Sequence, residues 1–137
     1  MLQQLTYIST ARADLIDADI DAILAASRRN NRRDGITGLL VHDGKRFLQA
    51  LEGYGPLVDA AFARIKADQR HRAAVLLSVQ ETDVRQFGEW DMASHRVATI
   101  ADKADFAATV DALLADVTDR NLRAMIGSFA RIDRRAA

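Results

Sequence analysis

The sequence predicts an α+β domain, and three observations predict it. The first ten residues alternate at the two-residue period of a strand, and a run at helical spacing follows. Asp43-Gly44 lies between two apolar runs, the dipeptide pattern of a hairpin turn. From Phe106 onward the apolar residues recur only at helical spacing, so the chain closes on helices.

The elements follow in order. In Leu2 to Thr10, Leu5, Tyr7 and Ser9 fall on one face and Thr6 and Ile8 on the other. Asp17 or Asp19 can cap a helix whose apolar face is Ile20, Ile23 and Leu24, and Gly35 is placed to turn the chain after it. Ile36 to His42 is an apolar, β-branched run read as a strand. Asp43-Gly44 is a two-residue turn. Arg46 to Glu52 returns with Phe47, Gln49 and Leu51 on one face and Leu48 and Ala50 on the other. Gly53, Gly55 and Pro56 break the strand and open a second helix. Its buried face is Val58, Ala61, Phe62 and Ile65, and it ends near Asp68. Ala73 to Glu81 forms a further strand, with Val75, Leu77 and Val79 opposite Leu76 and Ser78. Gln86 to Trp90 is irregular, and Met92 to Val97 is a short strand. Two amphipathic helices follow, one carrying Phe106, Val110, Leu113, Leu114 and Val117, the other Leu122, Met125, Ile126, Phe129 and Ile132.

The order βαββαβ(β) followed by two helices gives a ferredoxin-like sheet of strand order 4-1-3-2. Strands one and three are expected as parallel neighbours at its centre. Both crossover helices should lie on one face. Because both sheet faces carry apolar residues, the C-terminal pair should cap the other. The division is a core over 1–98 and a helical cap or output extension over 99–137.

At 137 residues with no cysteine, the chain can bury a core without disulfides and has no thiolate for metal binding or nucleophilic attack. His42, His71 and His95 do not fall at metal-ligand spacing. Nineteen acidic and nineteen basic residues balance, which gives no electrostatic case for binding long nucleic acid. No apolar run spans a bilayer and the N-terminus lacks a signal-peptide core, so a soluble, cytoplasmic protein without a membrane partner is expected.

Ser27, Asn30, Asn31 and Gln49 look least like scaffold. If strands one and three are neighbours, Tyr7 and Gln49 share a face under the crossover helices. Asn31, four residues after Ser27, lies on the same helical stripe. A phenol and two amides then converge between the helices, and buried groups of this kind need partners. The residues alone leave two readings open: a buried hydrogen-bonded network with water, or a site for a planar, imide-like ligand.

These residues, in this setting, resemble the BLUF family of flavin-binding blue-light sensors. The likeness rests on Tyr7 with Ser9, Ser27-Arg-Arg-Asn-Asn31, Gly35-Ile-Thr-Gly38-Leu-Leu and Phe47-Leu-Gln49-Ala-Leu-Glu-Gly53. It continues through Asp68-Gln-Arg-His71 and Trp90-Asp-Met92, covers about Leu2 to Val97, and shows no departure at the defining positions. It implies FAD, with FMN or riboflavin as alternatives, bound noncovalently by Tyr7, Ser27, Asn30, Asn31, Gln49, Arg64, Arg70 and His71. Tyr7 would donate an electron and a proton. Gln49 would sit between Tyr7 and the flavin N5 and O4 edge, and Asn31 at the pyrimidine side. Trp90 and Met92 would relay the change. Arg28, Arg29, Arg32 and Arg33 join Arg64 and Arg70 as candidates for the phosphate tail. No catalysis is implied. Output would pass to an unidentified downstream signalling protein, with a homo-oligomer expected.

Two other functions share this order of elements. An RNA-binding sheet would use Tyr7 and Phe47 for base stacking, but the RNP pattern and a basic field are missing. An acylphosphatase-like hydrolase would need a phosphate-cradling loop at Arg12, where STARAD supplies no glycines.

Overall fold

The computed structural model describes residues 2–12, 14–87, 93–96, 103–115 and 117–131. Its elements are β1 (Leu2–Ala11), α1 (Asp17–Asp34), β2 (Thr37–His42), β3 (Arg46–Gly53), α2 (Gly55–Ala67), β4 (His71–Thr82), β5 (Ala93–Arg96), α3 (Lys103–Leu113) and α4 (Arg120–Ala130). They form one sheet in the order β4-β1-β3-β2-β5, with β5 parallel to β2. The ferredoxin-like expectation holds, with the short fifth strand added at the β2 edge.

Strands β1 and β3 are neighbours, but they run antiparallel, not parallel as expected. The reason is topological. The first crossover lays β2 parallel to β1 and one strand away. The hairpin then reverses the chain, and β3 enters the gap antiparallel to both. The register still sets Tyr7 directly against Gln49, because antiparallel partners share a face as surely as parallel ones.

The hairpin also differs from expectation. Its loop is Asp43-Gly44-Lys45, three residues and not two. The Asp43 carboxylate accepts the backbone N–H of Lys45 at 2.9 Å and of Arg46 at 2.7 Å, while Gly44 adopts φ 97°. Helix α1 begins one residue before the expected caps, at Ile16, whose N–H donates to the Asp19 carboxylate at 3.0 Å. It ends at Gly35, left-handed at φ 66°. Within β2, Gly38 is required by close approach: any Cβ there would strike the Ala50 carbonyl oxygen.

Two apolar cores lie on the two faces of the sheet. Leu5, Tyr7, Phe47 and Leu51 pack against Ile20, Ile23 and Leu24 of α1 and Val58, Ala61 and Phe62 of α2. Leu39, Val41, Leu48 and Ala50 pack against Phe106, Val110, Ile126 and Phe129 of α3 and α4. The C-terminal helices therefore cap the face opposite the crossover helices, as their apolar stripes require. Complete burial of a side chain such as Phe106 contributes about 1.5–3 kcal/mol.

Strand β4 is the exception to the regular sheet. Its pairing with β1 shifts register between Thr6 and Tyr7 and again between Ile8 and Thr10, and Ala73 takes a left-handed φ of 49°. Val75, Leu76, Leu77 and Val79 on this strand are 44–52% exposed, so its simple in–out alternation does not survive.

Candidate functional site

Helices α1 and α2 cross the same sheet face and leave a cleft between them. Its α1 wall is Ile23, Ala26, Ser27, Asn30 and Asn31, and its α2 wall is Ala61, Arg64 and Ile65. Gln49 of β3 forms the floor, and Asp68 and Arg70, just after α2, close one end. Each wall is built from residues three and four apart, which is how a helix brings apolar and amide groups onto a single stripe. Six of the sequence candidates are thus brought together: Ser27, Asn30, Asn31, Gln49, Arg64 and Arg70.

Tyr7 lies beneath the floor and is fully buried. Its hydroxyl donates to Gln49 Oε1, and its ring packs on Phe62 with centroids 5.2 Å apart. Burial pushes the phenol's pKa well above its ordinary value, and the charge of Asp68 adds to the shift. Tyr7 is therefore a neutral phenol with its proton held toward an amide oxygen.

Asn31 is 4% exposed, and its side-chain Nδ2 has no hydrogen-bond partner among the described residues. A buried amide donor facing a cleft wants an acceptor. A planar heterocycle with carbonyl oxygens along one edge, between the apolar side chains of Ile23 and Ile65, would supply it. The donor set thus fits a flavin ring. With Oε1 on Tyr7, the donor end of Gln49 is its Nε2.

The charged rim is partly self-neutralised, a feature the sequence did not disclose. Arg70 donates to both oxygens of Asp68, at 2.6–3.1 Å, and Arg64 reaches Asp34 of α1 at 3.4 Å. Arg28, Arg29, Arg32 and Arg33 are exposed on α1 and do not line the cleft. His71 opens β4 opposite Ala11, but its side chain lies outside the described residues, as do Trp90 and Met92. Tyr7 and Phe47 are both completely buried, so the sheet displays neither ring for base stacking. Among the described residues, no group of acidic, His or Cys side chains could hold a metal, and no helix is long and apolar enough to cross a membrane.

The family described as sensors of blue light using FAD matches residues 2–93. The chain belongs to the BLUF family. The photoactivated adenylate cyclase subunit beta of Euglena gracilis is 34% identical over 94 residues, covering 68% of this chain and 11% of that protein. Among solved structures, the BLUF protein BlrB in its dark state aligns with a TM-score of 0.74 at 31% identity, over 94% of this chain and 95% of BlrB. Klebsiella pneumoniae BlrP1 with FMN and cyclic diGMP aligns with a TM-score of 0.79 at 29% identity, over 95% of this chain and 34% of BlrP1. This BLUF chain thus matches BlrB along nearly its whole length and only a fraction of the larger relatives. The fold, the flavin-binding character and the blue-light sensor class are those of the family.

Proposed function

We propose that this BLUF chain switches through the hydrogen bond between Tyr7 and Gln49. When bound, the flavin supplies blue-light absorption and, once excited, a strong one-electron oxidant. Tyr7 gives up an electron and releases its hydroxyl proton to Gln49 Oε1, the acceptor it already faces. Gln49 then rearranges, and both electron and proton return to Tyr7. The net redox change is zero, but the hydrogen bonds around the cleft differ and absorption shifts slightly to the red. Asn31 orients the ring through Nδ2, while Ser27 and Asn30 line its α1 side. Arg64 and Arg70, which line the cleft, would hold the cofactor's polar tail, and the family likeness adds His71 to that role and Trp90 and Met92 as the residues that would carry the change onward. The observation that supports this most is the pairing of Tyr7 with Gln49 beside an unpartnered Asn31 donor.

In this reading residues 1–98 are the sensor and 99–137 its cap and output. The chain performs no catalysis. It works in the cytoplasm as a homo-oligomer and signals through contacts with a downstream protein.

The test is Gln49→Leu, which keeps the volume and deletes the bridge. Flavin binding should persist while the light-induced red shift disappears, and Tyr7→Phe should behave alike. A normal red shift in either variant rejects the mechanism. A correctly folded protein that stays colourless with added FAD rejects the cofactor.

A further inference from the structure

Three residues after the end of β4 the chain reads Arg85-Gln86-Phe87, and together these residues join Glu52 of β3 to the end of α1 and to the start of α4. Arg85 donates from Nη2 to the carbonyl of Gly35, where α1 ends, at 2.9 Å. From Nη1 it donates to Thr37 Oγ1 at 2.8 Å and to the Glu52 carbonyl at 3.2 Å. The backbone N–H groups of Gln86 and Phe87 donate to the Glu52 carboxylate at 2.8 and 2.9 Å. Gln86 Oε1 accepts from Thr118 N at 2.7 Å, Asp119 N at 3.1 Å and Thr118 Oγ1 at 3.2 Å. The Phe87 ring is buried in the cap core.

The far end of this chain of contacts is the start of α4. Asp119 caps that helix by accepting the Leu122 N–H at 3.0 Å, and its other oxygen accepts from Gln80 of β4 at 2.7 Å. The near end starts beside the cleft. Glu52 follows Gln49 by three residues on β3, and Gly35 follows Asn31 by four at the end of α1.

We propose that Arg85–Phe87 is a clip that carries displacement of β3 and of the α1 terminus to the first turn of α4. This inference rests on the blue-light reading above. The physical reason lies in the two kinds of contact holding the cap. Its apolar packing is non-directional and spread over many weak contacts. Hydrogen bonds weaken steeply when length or angle departs from the optimum. The polar clip therefore adds to the packed apolar core a directional constraint on the register of α4 against the sheet. A change at Gln49 or Asn31 biases α4 only if the clip's geometry differs between the two states.

Two substitutions in the flavin-loaded full chain test this. Gln86→Leu removes the acceptor, and Gln86→Glu keeps an oxygen that can receive the same donors. Gln86 is partly exposed, and persistence of the red shift certifies an intact sensor in each variant. Hydrogen exchange is measured in darkness and under continuous blue light. In darkness the first turn of α4 should exchange roughly fivefold faster in Gln86→Leu, the scale of one net hydrogen bond. The light-minus-dark difference over 120–130 should appear in the parent and in Gln86→Glu, and should fall by at least half in Gln86→Leu. A Gln86→Leu protein with the parent's full light response in α4 overturns the clip. So does a parent that shows the red shift but no light response there. A parent without a red shift overturns the flavin reading itself.

Discussion

The two sides of β3 are equally dry and differently finished. Toward α1 and α2, Gln49 meets Tyr7, and nearby Asn31 holds a buried donor with no partner. Toward the cap, Glu52 is fully buried, yet its carboxylate accepts Thr37 Oγ1 and two backbone N–H groups at 2.8–2.9 Å. A buried polar group that is satisfied within the chain holds the fold together. One that is left unsatisfied is held ready for something else. Burial alone does not separate the two roles, whereas the count of hydrogen bonds does.

This contrast has measurable consequences. Glu52→Leu should give the largest change, because it strands a buried N–H donor at Phe87, a part-buried one at Gln86 and the Thr37 hydroxyl. A loss of about 3 kcal/mol is expected, a fall in melting temperature of roughly 10 °C. Thermal or urea unfolding of the flavin-free protein reads it directly, and a change within experimental error would show that water replaces the carboxylate. Asn31→Ala should have the opposite profile. Removing a donor that has no partner should alter flavin-free stability by less than about 1 kcal/mol, while flavin affinity falls about tenfold. Equilibrium titration with FAD beside the same unfolding curve decides it. Equal losses in both would place Asn31 in the scaffold.

The smallest effect concerns Tyr7. Its pKa is raised in the folded state by burial, then by Asp68. Below the ordinary phenol pKa of about 10, folded and unfolded chains both keep the proton, so Tyr7 adds no pH dependence. Above it the unfolded chain binds fewer protons than the native one, so stability must fall as pH rises. The urea midpoint of the parent should therefore decline relative to Tyr7→Phe above about pH 10 and run parallel to it below. A parallel course throughout would mean that the phenol ionises in the folded protein.

Much of this was legible in the sequence because it is local. Period-two alternation placed Tyr7 and Gln49 on one face, and helical spacing put Ser27 and Asn31 on one stripe. The direction of β3 against β1 follows from the order of elements, since a crossover and then a hairpin make β3 antiparallel to β1 in any gap, and the expectation of a parallel pair missed that step. One local feature also escaped: the length of the turn depends on the Asp43 carboxylate accepting N–H groups two and three residues on. The non-local features were not legible. Glu52, Arg85 and Gln86 looked like ordinary polar residues, because their partners lie fifteen or more residues away in sequence. Asp34 was missed as a partner of Arg64 for the same reason, whereas Asp68 lies only two residues from Arg70 and its pairing there was simply not drawn from the sequence.

Strand β4 combines two properties that bear on handling the protein. By composition it is adhesive, since Val75, Leu76, Leu77 and Val79 all reach solvent on an edge of the sheet. By shape it is a poor template, because two register shifts and the left-handed Ala73 break the straight row of N–H and C=O groups that an incoming strand would need. The irregularity thus acts as protection against strand-by-strand polymerisation, at the expense of a regular ladder to β1. Deleting Ala73 would straighten the beginning of that edge. Concentrated solutions of the deletion variant should scatter more light over hours than the parent, and should bind more of an amyloid-sensitive dye. Unchanged scattering would mean that the second irregularity, at Leu77, guards the edge by itself.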